Sequence, residues 1–395
     1  MSDTRKKPKE DDRNPLRSVG SALGGWARRM GTILSEVTQS GPPEEVARAI
    51  AQARESALAG DYAAAVLRLR DPLVQRPGDP HLRLALALTR VAQVLTDGAH
   101  LSVLHELAEP QGKRGERGLP ETLAEAARLL LRDEFDPALD QLRRARKLVE
   151  DAAEPAIHDA RFLVNLLTTL LQIRRGRFER GLLEFQRARA RLPEGTRGPL
   201  RALLIREGAQ LLLAEDHLDE AIAWLTGEAD LGNPAVDTDP AVAAARAHLA
   251  VALAAKGDRL GVDAVRAKIP ALPEWDEHRI RIHLCLGTGA EARELALRHL
   301  QLNPQDPRRK RLWALCEIAG WPVGTCDAPD PTRKSVVDAL VDAASDVAGE
   351  RLERHLHELA HVALRADYLS EGAVALIRRR LQEDPASAPE ELRLV

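Results

Sequence analysis

Six stretches of this chain pair a tight-turn residue with a downstream proline or matching helix at nearly constant distance, and a fixed period of this kind is the signature of stacked repeats. Gly60-Asp61-Tyr62 runs to Pro77, Gly176-Arg177-Phe178 to Pro193 and Gly287-Thr288-Gly289 to Pro304, seventeen residues in each case. Asp216-His217-Leu218 reaches Pro234 one residue later, Asp367-Tyr368 runs to Pro385, and Asp133-Glu134-Phe135 opens a unit without the proline.

Each residue type has a physical role in such a unit. Glycine or aspartate supplies the backbone conformation that a turn between antiparallel helices needs and most side chains resist. Two residues on, an aromatic or leucine (Tyr62, Phe135, Phe178, Leu218) fills the space between the pair. Five residues after the turn a small side chain recurs (Ala65, Ala138, Gly181, Ala221, Ala292), which lets helices approach closely. Proline ends the second helix because it cannot donate the next hydrogen bond.

This glycine, aromatic, alanine and proline arrangement resembles the tetratricopeptide repeat (TPR) family over roughly residues 45–320. The turns at 60 and 133 are 73 residues apart, room for two units, with a degenerate turn at Asp97-Gly98 followed by Pro110. Later steps of 43, 40 and, through Gly257, 41 exceed the usual 34 and imply lengthened helices or loops. The resemblance implies an all-α fold, a right-handed α-solenoid of antiparallel helix pairs, binding a peptide or helix in the concave groove of its first helices.

Composition fits that fold. Hydrophobic residues make up 44% and aromatics only 3%, which supports a continuous aliphatic core and weakens any case for base stacking. With a formal net charge of −3 and interspersed signs, no global field recommends nucleic acid as partner. Arg308-Arg309-Lys310-Arg311 reads as a solvated helix start after Pro307. Three cysteines, Cys285, Cys316 and Cys326, lack paired spacing and read as free thiols in a reducing compartment. The start has neither signal-peptide nor membrane-span character, so a cytoplasmic location is expected.

The chain divides into a disordered tail (1–14), an amphipathic helix (15–40), the repeats (41–320), a linker (321–333) and C-terminal helical repeats or a small cap (334–395). In the amphipathic helix Leu16, Val19, Leu23, Trp26, Met30, Ile33 and Val37 form one stripe, weakened by Gly20, Gly24, Gly25 and Gly31. The solenoid itself, a partner's groove and a membrane interface are the three surfaces that could cover residues 15–37. His278–Leu286 alternates apolar and polar residues as a strand would, yet the turn at Gly287 requires a helix there.

One enzyme signature occurs. His357-Glu358-Leu359-Ala360-His361 matches HExxH, which on a helix places two zinc ligands one turn apart with a glutamate to take a proton from metal-bound water. Leu369-Ser370-Glu371-Gly372 resembles the segment that supplies a third ligand in some zinc peptidases. However, Glu371 follows His361 too closely for a second helix to return, and no strands precede the motif to form a cleft. An apolar seam of Leu352, Leu356, Leu359, Ala363 and Ala366 accounts for the same helix.

The sequence therefore reads as a non-catalytic scaffold or adaptor for a protein partner, with no catalytic, metal or cofactor-binding residue assigned. The alternative is a zinc metallopeptidase acting through its C-terminal HExxH, with the repeats recruiting substrate.

Overall fold

The structure, a computed structural model, describes residues 43–97, 101–108, 118–150, 155–232 and 239–319, together with five helical positions between 335 and 341. The N-terminal tail and amphipathic segment, the linker and the HExxH motif lie outside the described residues. Among the described residues there is no strand.

Helices follow in pairs. The first unit is α1 (Glu44–Leu58) with α2 (Tyr62–Gln75), the second α3 (Pro80–Asp97) with the short α4 (Ser102–Ala108), and the third α5 (Leu119–Leu131) with α6 (Phe135–Val149). The fourth is α7 (Pro155–Arg174) with α8 (Phe178–Arg189), and the fifth α9 (Gly198–Ala214) with α10 (Leu218–Ala229). The sixth joins α11 (Pro240–Lys256) to α12 (Arg259–Arg266), and the seventh joins α13 (Asp276–Cys285), after a 3-10 turn at Pro273–Trp275, to α14 (Gly289–Leu302). Last comes α15 (Pro307–Ala319).

One turn builds six of these pairs. Gly60, Asp133, Gly176, Asp216, Gly257 and Gly287 all have positive φ, between 59° and 88°. In every case the next residue donates its backbone N–H to the carbonyl five positions back, at 2.8–3.0 Å: Asp61 to Ser56, Glu134 to Leu129, Arg177 to Gln172, His217 to Leu212, Asp258 to Leu253 and Thr288 to His283. This left-handed C-terminal motif satisfies carbonyls that a helix end leaves open. The donor residue then caps the second helix, so two residues reverse the chain. Asp61 and Asp258 add side-chain caps to the N–H groups of Ala64 and Gly261.

The expected packing residues occupy the expected places. Ala65, Ala138, Gly181, Ala221 and Ala292 are all buried. A Cβ on Gly181 would stand 3.0 Å from Leu211 Cδ2, so that residue sets the approach of α8 to α9. Tyr62 is buried, whereas Phe135, Phe178 and Leu218 are half-buried. The strand-like alternation in α13 has a packing cause, because this helix is gripped from several sides by α11, α14 and α15. Ile280 and Ile282 are both fully buried and face different clusters, so no single helical stripe appears.

Units one to five do more than stack. α3 packs against α5, α7 and α9 as well as its immediate neighbours, which fills the inside of the turn. Across the closure, the Arg54 guanidinium of α1 donates Nε and Nη2 to the two carboxylate oxygens of Asp159 on α7, at 2.5 and 2.9 Å. The Arg197 N–H, ahead of α9, donates to the Leu58 carbonyl at 2.8 Å. Gly60 also approaches Pro199 so closely that a Cβ would lie 2.7 Å from its Cδ. As a result α7 is buried continuously from Phe162 to Thr169. The hydroxyls of Thr168 and Thr169 are satisfied inside this core by the Val164 and Asn165 carbonyls one turn back.

Candidate binding surface on the distal first helices

The groove implied by the TPR resemblance runs along the first helices α1, α3, α5, α7, α9, α11 and α13. Closure of units one to five converts the inner part of that groove into core. The position nine residues before the turn residue in units three to seven records the change. It is Ala124 in α5 and Leu167 in α7, both fully buried, then Glu207 in α9, His248 in α11 and His278 in α13. One residue earlier the series runs Leu123, Leu166, Arg206, Ala247 and Glu277. The first of these registers thus turns from apolar to polar at α9, while the second is interrupted by the fully buried Ala247.

The polar residues of α9, α11 and α13 gather at one seam. His248 Nε2 lies 3.3 Å from His278 Nε2, with ring centroids 4.5 Å apart and the rings edge-on at 87°. One imidazole therefore donates to the other, and the choice of donor depends on the tautomers. Trp275 packs on His278 with centroids 5.4 Å apart. Its indole Nε1 and His278 Nδ1 are both buried without a protein hydrogen-bond partner.

Two ion pairs flank the histidines. On α9, Arg206 meets Glu207 at 2.9 Å, and on α13, Arg281 meets Glu277 at 2.5 Å. Burial holds His248 well below the ordinary imidazole range, helped by His278 and by the Arg281 and Arg206 charges. His278 is lowered to about 4 by burial, with Glu277 pulling upward and Arg281 and Arg206 downward. Both rings are neutral at pH 7.

The sequence reading did not single out His248 or His278. The signal lay in register, since two histidines thirty residues apart sit at one position of two units only after the turns at Gly257 and Gly287 are aligned. The other residues considered from sequence fall as follows. Cys285 is exposed at the end of α13, Cys316 is buried with its thiol pushed up to about 12 by burial, and Cys326 lies outside the described residues. Arg309 is engaged at the start of α15, donating to the His299 carbonyl at 3.0 Å and facing Asp306. His357, Glu358, His361 and Glu371 lie outside the described residues. Among the described residues, no group of three or more His, Cys, Asp or Glu side chains is placed to hold a metal ion. No helix among them is long and apolar enough to cross a membrane. Neither a protein-family model nor a curated protein matches this chain.

Proposed function

We propose that this chain is a non-catalytic, TPR-like interaction protein that holds a peptide or helix of a protein partner against the seam of α9, α11 and α13. The observation that carries this reading is the switch from apolar to polar side chains at one register of successive first helices, at the point where the solenoid stops closing on itself. A surface meant only for packing has no need of Arg206, Glu207, Glu277 and Arg281. A surface that reads a ligand needs fixed donors and acceptors, and ion-paired arginines and glutamates provide both. The unpaired, exposed thiol of Cys285 favours a reducing, cytoplasmic setting for this activity.

A photo-crosslinking side chain tests the reading directly. Placed at Glu207 or Glu277 in the full chain, it should capture a partner in the native host, and the same group at Leu183, exposed on α8, should not. The charge reversals Arg206→Glu and Arg281→Glu should weaken the captured complex at least tenfold, the order of one lost charge-assisted contact. Capture confined to Leu183, or affinity unchanged in both reversals, would place the partner elsewhere.

A further inference from the structure

We propose that the apolar stripe of residues 16–37 seats on the outer face of α2, along Ala63, Leu67 and Val74, so that the chain's own N-terminal segment completes unit one. The inference does not depend on the partner proposed above.

The face itself is unlike the rest of the outer surface. α2 packs on α1 and α3, and its buried residues are Tyr62, Ala65 and Leu69. The opposite side carries Ala63, Leu67, Arg70 and Val74, at steps of four, three and four, which is one stripe of a helix. All four are exposed, Leu67 by 63% and Val74 by 76%. Among the described residues no other helix exposes two large aliphatic side chains on one face, since Leu297 and Leu302 of α14 stand about 140° apart around their axis. Seven and fourteen residues past the turn, where unit one has Leu67 and Val74, unit three has Asp140 and Lys147 and unit seven has Glu294 and Gln301. In no other unit built on this turn are both residues large and aliphatic. Paired aliphatics on an otherwise solvated face mark a place where something docks.

The tether says what docks. Six residues, 38–43, separate Val37 from Glu44 and span about 20 Å when extended. The last of them, Pro43, leads into α1 in extended form, with φ of −49° and ψ of 146°. α1 and α2 are antiparallel about the turn at Gly60, so Glu44 stands at the Val74 end of α2. Val37 is therefore within reach of Val74. Trp26, Met30, Ile33 and Val37 repeat the four, three, four spacing of Ala63, Leu67, Arg70 and Val74. Laid parallel to α2 from that end, the two stripes match along their length, with Trp26 over the small Ala63, Met30 beside Leu67 and Val37 beside Val74. Arg70 gives its methylene stem to the strip and keeps its charge in water. A tethered segment competes for the face at a local concentration on the order of millimolar, an advantage that a free partner lacks.

Limited trypsin digestion of the full chain reads the contact at Arg28 and Arg29, which lie among the residues of the stripe, relative to cuts in residues 1–14. Leu67→Asp with Val74→Asp should speed cleavage after Arg28 or Arg29 on the order of tenfold. Trp26→Asp should give the same increase, and all three substitutions together no more. A photo-crosslinking side chain at Leu67 of the otherwise unchanged chain should attach within residues 16–37 of the same molecule, and one at Leu183 should not. Cleavage as fast in the wild type as in the variants, or a crosslink from Leu67 that never reaches residues 16–37, would overturn the proposal and leave the stripe to a partner or a membrane. Protection that disappears on dilution would give the face to a second copy and overturn it as well. Should Leu67→Asp with Val74→Asp lower the urea midpoint of the whole protein, the crosslink decides alone.

Discussion

Arg54 on α1 and Asp159 on α7, 105 positions apart in the chain, share a two-point hydrogen-bonded ion pair that fastens the first unit to the fourth. In a simple solenoid each unit meets only its neighbours, and stability is close to a sum of local terms. This contact breaks that rule. Units one to five should unfold as one cooperative body, because opening any of them exposes the interior that α3 and α7 share.

Removing the arginine tests the strength of the fastening. Arg54→Ala leaves the mostly buried Asp159 carboxylate without its partner, at an expected cost of about 2 kcal/mol in urea denaturation. Arg54→Leu combined with Asp159→Leu should recover part of that loss, since an apolar pair leaves no stranded charge. Single and double variants of equal stability would mean that the pair contributes nothing.

Two turn glycines with similar backbone angles should respond differently to alanine. At Gly287, with φ of 74°, an added Cβ meets nothing within 4 Å. Gly287→Ala should therefore cost only the left-handed backbone penalty, about 1 kcal/mol. At Gly60, with φ of 88°, the new methyl would also press on Pro199 across the closure. Gly60→Ala should cost about 3 kcal/mol, measured by the shift of the urea midpoint.

A third substitution probes the packing of α8 on α9. An added Cβ on Gly208 would lie 2.1 Å from Cε2 of the fully buried Phe185 ring, which itself packs at a tilt of 58° on Trp224 with centroids 5.0 Å apart. Gly208→Ala should destabilise by about 2 kcal/mol through overpacking. Adding Phe185→Leu to the Gly208→Ala protein should be less costly than Phe185→Leu alone, a coupling that thermal melts of the four proteins would reveal.

Stability should also fall in mild acid for a local reason. The unfolded chain protonates His278 near 6.5, whereas the folded chain resists until about 4. The associated stability is complete above the unfolded value and is lost as pH drops through this window, by about 2 kcal/mol at about pH 5. Urea titrations of the wild type and His278→Gln should show a smaller pH dependence in the variant. Parallel curves would count against the assigned environment.

The repeating turn was legible because a left-handed residue leaves a mark in composition. Glycine and aspartate at Gly60, Asp133, Gly176, Asp216, Gly257 and Gly287 were each identifiable from the sequence, and each has positive φ. The small residues five positions on were legible for the same local reason. Closure was not, because nothing in the spacing of α1 and α7 says that Arg54 and Asp159 meet. That encounter depends on the curvature accumulated over the intervening units. The polar seam was half-legible: its residues stand in one register, but a histidine on a first helix carries no sign of which way the inner face opens.

The closed turn has a further consequence for how this chain can change in length. Open solenoids tolerate gain or loss of a helix pair, since a new pair meets the same kind of neighbour on each side. Here the Leu58 carbonyl must reach the N–H of Arg197 while Arg54 reaches Asp159. Duplicating or deleting one pair between them would carry both partners a full step around the spiral and leave neither contact within reach. The protein in effect counts its own modules between α1 and α9, and growth is free only beyond α9, on the side that carries the histidine pair.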